Sequence, residues 1–187
     1  ELVQKMGFLA AQLNRSAIKS VKLELEGDIS AYAKSLLTFG IVGSLKEANE
    51  NKINYVNAEF VAKEKNIETK FEVIKSTSGY KNQATLILTT DKDVVSISGT
   101  VFGEDEQRIV GINGFKFDFK PKGKMIIFKN HDVPGVIAHI ASTLAKENIN
   151  ISDFRLGRGA NKFAMAVILV DTDIDKKIIA ELNQLET

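Results

Sequence analysis

The stretch from Asn130 to Arg158, NHDVPGVIAHIASTLAKENINISDFRLGR, holds the residues whose types and spacing could do chemistry. An apolar strand, Met125-Ile126-Ile127-Phe128, runs into a polar loop that opens a helix, so polar side chains gather where the first helical amides point. Those amides lack intrahelical acceptors and sit at the positive end of the helix dipole, an arrangement that suits a small carboxylate. Asp132 is the cap candidate. Pro134 falls where a first-turn proline is tolerated, because its missing N–H would have no intrahelical partner. Val136, Ile140 and Leu144, joined by Ile137 and Ala141, make one apolar stripe at the helical repeat. Asn148 to Asn150 close it with turn residues.

The elements that must position this loop read as strand, helix, strand, strand, helix: Met125–Lys129, Val136–Lys146, Ile151–Leu156, Phe163–Val170 and Ile174–Leu185. A split βαβ domain of the ferredoxin-like kind needs one more strand after the last helix, and the sequence stops at Glu186-Thr187 before supplying it. Pro121-Lys122-Gly123 is the natural boundary, giving domains over residues 1–123 and 124–187. The fold class expected is α+β, a mixed α/β domain followed by a βαββα(β) domain.

In the first domain, Val3, Met6, Ala10 and Leu13 stripe a helix, and Val21 to Leu25 alternate as a half-buried strand. Ile29 to Ala48 is helical in pattern but interrupted at Gly40 and Gly43, which predicts two short helices. Tyr55 to Lys65 predicts another, with Val56, Phe60 and Ala62 inward and Asn66 as a left-handed cap. Thr69–Ile74, Ala84–Leu88, Val94–Val101, Arg108–Ile112 and Phe115–Phe119 are β-branched or aromatic runs, and Asn113-Gly114 is the strongest hairpin signal.

Composition narrows the chemistry. The 187 residues are 44% hydrophobic and 26% charged with a net charge of +1, the profile of an ordinary soluble protein with no basic tract for nucleic acid. Cysteine is absent, which removes disulfides, thiolate metal sites and cysteine nucleophiles and is compatible with a reducing cytoplasm. No apolar run approaches the ~20 residues of a membrane span. The opening ELVQKMGFLAAQLN lacks an initiator Met and starts with helical periodicity under way, so it shows no signal peptide and reads as an excerpt of a longer chain. No G-x-G-x-x-G follows a strand and no G-x-x-x-x-G-K-[ST] occurs, which argues against a nucleotide site. His131 and His139 lie eight apart without metal-ligand spacing; both read as surface residues, His131 close enough to the loop to donate to a ligand. No catalytic residue and no metal site is expected.

The residues resemble the C-terminal regulatory region of the long form of D-3-phosphoglycerate dehydrogenase, an intervening allosteric substrate-binding domain followed by an ACT domain. The ACT part of the resemblance rests on Asn130-x-Asp132-x-Pro134-Gly135-Val136, Ile149-Asn150-Ile151 and Leu156-Gly157-Arg158. The intervening part rests on Gly7 with Ala10-Ala11-Gln12-Leu13, Asn54-x-Val56-Asn57-Ala58, Gly99-Thr100-Val101-Phe102-Gly103, and Arg108-Ile109-Val110 leading into Ile112-Asn113-Gly114.

The resemblance implies homo-oligomers paired through ACT domains, with L-serine bound between subunits as a feedback effector. Asn130 and Asp132 of the loop match the ligand positions, as does Asn150, contributed by the same subunit or its partner. Asp132 and Asn150 suit the ammonium of a zwitterion, and the amides near Gly135 and Val136 suit its carboxylate. Helix capping by Asp132, worth about 1 kcal/mol, and turn shaping by Asn150 are the structural alternatives. The resemblance also implies a second site for a phosphorylated substrate or anion at Arg108, Lys116 and Lys120. The two lysines alternate with Phe117 and Phe119 and leave one face about 13 Å apart. A simple hairpin at Asn113-Gly114 puts Arg108 on the other face unless a bulge re-aims it. Lysines on a solvated face beside Asp118 are the alternative.

The leading expectation is therefore a cytoplasmic regulatory fragment of an enzyme of serine biosynthesis. It would carry no cofactor itself, with NAD expected in the parent dehydrogenase. The rivals are the β region of an iron–sulfur L-serine dehydratase and an oligomerisation module without ligand.

Overall fold

The computed structural model describes residues 1–46, 53–75, 78–159 and 162–183. The chain divides into two units, Glu1–Gly114 with Asp118–Pro121, and Phe115–Phe117 with Lys122–Thr187.

The first unit contains helix α1 (Leu2–Leu13), strand β1 (Ile18–Glu26), a 3-10 turn (Asp28–Tyr32), helices α2 (Ala33–Leu45) and α3 (Ala58–Glu64), and strands β2 (Glu68–Val73), β3 (Gln83–Thr90), β4 (Val94–Phe102) and β5 (Glu106–Ile112). Strand β6 (Phe115–Phe119) ends the six-stranded sheet, whose order is β2-β1-β3-β4-β5-β6. Strands β1 and β2 pair parallel, and from β1 through β3 and β4 to β5 the pairing is antiparallel. The alternating sequences put Val21, Leu23, Leu25, Leu86, Leu88 and Ile97 on one fully buried face under α1 and α2, and leave the other face partly open. At the tip of the last hairpin Asn113 and Gly114 both have positive φ, 49° and 82°, as a two-residue primed turn requires. The buried carboxylate of Glu26 ties down the loop before β3, accepting from the amide and hydroxyl of Ser78 and from Gln83 Nε2.

Two local expectations need correction. The segment after the 3-10 turn is one helix, α2, running through Gly40 and Gly43. Those glycines serve a close helix crossing: a Cβ on Gly43 would collide with the Gln4 carbonyl, and one on Gly7 with the Gly40 carbonyl. Helix α3 is shorter than expected and buries Ala58 and Ala62, while Val56 and Phe60 are 95% and 63% exposed. Small residues face inward there because they let the helix sit close. Between β4 and β5 the register shifts, the bulge that the sequence leaves open. Ser98 pairs with Gly111 but Gly99 with Ile109, so Val110 is the extra residue of a bulge and both Ile109 and Val110 are buried.

The second unit is a βαββα series: β7 (Lys124–His131), α4 (Val136–Lys146), β8 (Ile151–Arg158), β9 (Phe163–Val170) and α5 (Lys176–Leu182). Its sheet has the order β7-β9-β8 with both pairs antiparallel. The helices pack Ile140, Leu144 and Ile178 onto Ile168 and Val170, with Ile149 closing the base and Ile126, Phe128 and Phe154 at the margin. Asp175 caps α5, its carboxylate accepting from the Ile178 amide at 2.9 Å. Central β9 is apolar on both faces, and β8 is bonded on one side alone among the described residues.

Candidate functional site

The loop between β7 and α4 differs from its simplest sequence reading in how it starts the helix. The N-cap is Gly135, at φ +96°, and no side chain caps the first turn. Pro134 therefore precedes the cap instead of occupying the first helical position. Asp132 lies three residues before the cap, and its carboxylate turns to the Nε of Arg158, 2.9 Å away. The loop is held by its backbone: the Asp132 amide donates to the Lys162 carbonyl at 2.7 Å and the Val133 amide to the His131 carbonyl at 2.9 Å. Glycine at 135 answers a conformational demand and not a spatial one, since nothing lies within 4 Å of where a Cβ would be.

A cleft of about 420 Å³ opens over this loop, lined by Asp132, Pro134 and Gly135, by Ile137 of α4, and by Leu156 and Arg158 of β8. The first helical amide with an intrahelical acceptor is that of His139, bonded to the Gly135 carbonyl, so the amides just after Gly135 remain available. Ile137, expected in the apolar stripe, is 44% exposed and forms a wall of the cleft instead. Beside the loop, Asn130 is 4% exposed; its Nδ2 donates to the His131 carbonyl at 2.6 Å, while its Oδ1 is buried with no hydrogen-bond partner. An orphaned buried acceptor is costly and uncommon. His131 is exposed and stacks near Phe163 at a centroid distance of 4.4 Å, and His139 is exposed on α4.

Asn150 does not join the others within one chain. Its side-chain amide donates to Asp171 at 2.6 Å, at the end of β9 where Ile151 pairs with Val170. Asp132 follows His131, which pairs with Phe163 at the opposite end of β9. Strand rise puts the two ends roughly 23 Å apart. Arg158, next to Asp132 and on the cleft wall, is not among the ligands that the sequence suggests. The visible signal was the Leu156-Gly157-Arg158 motif at the end of a strand, but only pairing shows that this end lies beside the loop.

The three basic residues of the other expected site have a different setting. The bulge at Val110 re-aims Arg108, which reaches both Glu106 (3.2 Å) and Asp118 (3.5 Å). Lys120 Nζ lies 3.0 Å from the same Glu106 carboxylate. The hydrogen bond and charge of Lys120, aided by Arg108, hold the Glu106 carboxyl below the usual carboxylate range. Lys116 is exposed, alternating with Phe115 and Phe117 along β6. Arg108 and Lys120 therefore converge, but on carboxylates the protein itself supplies. Among the described residues no group of three or more histidines and carboxylates could hold a metal ion, and no helix is long and apolar enough to cross a membrane.

The chain thus carries two units in series, one built on a mixed sheet and one a βαββα unit whose first helix starts uncapped beside a cleft. Comparison with known families agrees: residues 1–113 match the D-3-phosphoglycerate dehydrogenase intervening domain, and residues 124–187 match the ACT domain. The chain belongs to the D-3-phosphoglycerate dehydrogenase family and corresponds to the C-terminal regulatory region of its long form. Relatives of that name include one from Bacillus subtilis (strain 168), 31% identical over 188 residues, covering 99% of this chain and 36% of that protein. Those from Archaeoglobus fulgidus and Synechocystis sp. are 29% and 28% identical, each over 99% of this chain and covering 36% and 34% of their own lengths. The chain thus spans about a third of the curated relatives it matches.

Proposed function

We propose that this chain is an effector-sensing module that binds a free amino acid, L-serine first among them, at the β7–α4 loop. The observation that carries this reading is the cleft in which uncapped α4 amides and the Asp132 carboxylate stand together. Such a pairing of donors with an anion suits a zwitterion. The orphaned Oδ1 of Asn130 adds an acceptor beside the loop that lacks a donor in the free protein.

The separation of Asn150 from the loop finds its resolution in a second copy. Strand β8 is a sheet edge, and two β8 strands paired antiparallel about a two-fold axis form one continuous sheet that covers the β8 edge of each copy. With the segment in full register, Arg158 stands opposite Ile151 of the other copy, one residue from its Asn150. A homodimer built this way has two equivalent sites, each taking the loop from one subunit and Asn150 from the other. In the longer protein this module would be joined to NAD-dependent domains that oxidise 3-phosphoglycerate. Serine would then act only by favouring one subunit arrangement over another, with reciprocal linkage to active-state ligands.

The test is titration calorimetry of the 187-residue chain as a folded dimer. L-serine should bind at one molecule per subunit, and Asp132→Ala should abolish the heat while leaving the dimer intact. Absence of heat with the unaltered dimer rejects the reading; undiminished binding by Asp132→Ala rejects the site.

A further inference from the structure

Resting on the amino-acid reading just given, we propose that Arg158 is the residue that takes the α-carboxylate of the bound effector. Two anion-binding elements border the cleft, the α4 amides and the Arg158 guanidinium, and geometry separates their roles. Arg158 meets Asp132 through Nε, at 2.9 Å, its one ion pair among the described residues. A guanidinium carries five N–H donors in a planar fork, so an Nε contact leaves both terminal nitrogens to receive a carboxylate. The side chain is 74% exposed while that of Asp132 is 31% exposed, so the fork is on the open side of the pair and the carboxylate on the inner side.

An amino acid entering from solvent therefore meets opposite charges set at the spacing of its own two ends. Its ammonium takes the oxygen of Asp132 not engaged by Nε, and its carboxylate takes the terminal nitrogens of Arg158. The strand end supplies rigidity, since Arg158 is in register with Ala164 on central β9. Selectivity follows from this arrangement. A ligand without a carboxylate keeps the Asp132 contact but leaves the fork unfilled, and a ligand without an ammonium places its carboxylate against Asp132.

The test compares L-serine with L-serinamide, which keeps the ammonium and lacks the carboxylate, by calorimetry on the folded dimer and on Arg158→Gln and Arg158→Lys. Circular dichroism and sedimentation establish that both variants keep the fold and the dimer. Arg158→Gln should bind L-serine about 10–150-fold more weakly, the range for a lost charge-assisted hydrogen bond, while serinamide binds as well as before or better. Arg158→Lys should recover part of the serine affinity. Serine binding unchanged in Arg158→Gln overturns the assignment and leaves the carboxylate with the α4 amides. An equal loss for serine and serinamide also overturns it, because it makes Arg158 merely a support for Asp132. If the unaltered dimer binds neither compound, the amino-acid reading itself fails and Arg158 falls with it.

Discussion

Gly135→Ala separates the strain stored in the effector loop from the contacts the loop makes. At φ +96° an L side chain is disfavoured by roughly 1–2 kcal/mol, and open space around the built Cβ means that no steric collision adds to this. The variant has two ways to respond. If the loop keeps its shape, the strain appears as lost stability, a Tm drop of about 4–16 °C for a unit of this size. If the loop relaxes to negative φ, stability returns but the amides after residue 135 turn away from the cleft. The ligand must then restore the strained form, and affinity falls by up to roughly 5–30-fold. The two losses are shares of one quantity, so together they should sum to about 1–2 kcal/mol. Gly135→Asn should lose less, since asparagine already occupies positive φ at residues 66, 113 and 148 of this chain. Differential scanning calorimetry and serine titration on the same samples measure both shares. A variant with unaltered Tm and unaltered affinity would refute the claim that Gly135 is there for its backbone conformation.

Other consequences are equally direct. Glu106→Gln removes the carboxylate on which Arg108 and Lys120 converge, so inorganic phosphate should bind measurably more tightly to the variant than to the unaltered chain; equal affinities by NMR titration would show that Glu106 does not guard these cations. Gly43→Ala should destabilise the first unit by about 1–3 kcal/mol despite a gain of about 1 kcal/mol in helix propensity, because the Cβ meets backbone of α1; a raised denaturation midpoint would contradict this. Lys22 bridges Glu24 and Glu72, and these bonds raise its pKa while Lys22 lowers that of Glu72. The Glu72 contribution is present above the ordinary carboxylate pKa and fades as pH falls through its depressed value. That of Lys22 is present below the ordinary lysine pKa and fades as pH rises through its raised value. Protection of the β2 amides, relative to their intrinsic exchange rate at each pH, should therefore fall at both extremes, and a Lys22→Met variant showing the same pH response would exclude the pair as the cause.

Periodicity made most elements legible before any coordinates. The apolar repeat from Val136 to Leu144 and the alternation of Phe115, Phe117 and Phe119 led to α4 and β6 with their observed bounds. What stayed hidden depends on tertiary proximity. Gly40 and Gly43 look like breaks until the approach of α1 shows why side chains are missing there. Val56 and Phe60 look like a core stripe, but the short helix turns Ala58 and Ala62 inward, and no one-dimensional pattern reports that choice. The side on which Arg108 emerges hinges on one bulged residue, Val110, whose presence is a matter of register with β4. At the candidate site, the loop and its glycine could be read from local sequence. The pairing of Asp132 with Arg158 could not, because it needs β8 and β7 to flank the same end of β9.

The claim that each effector site is split between two copies is tested most directly by mixing subunits. Asp132→Ala and Asn150→Ala chains, each inactive in serine binding as homodimers, are combined and the mixed dimer isolated by differential tags. If the loop and Asn150 come from different subunits, one site in the mixed dimer carries both substitutions and the other is intact, so calorimetry should show one serine per dimer at the unaltered affinity. A mixed dimer that binds no serine, with both homodimers properly folded, would contradict the split site and require Asp132 and Asn150 to act within a single chain.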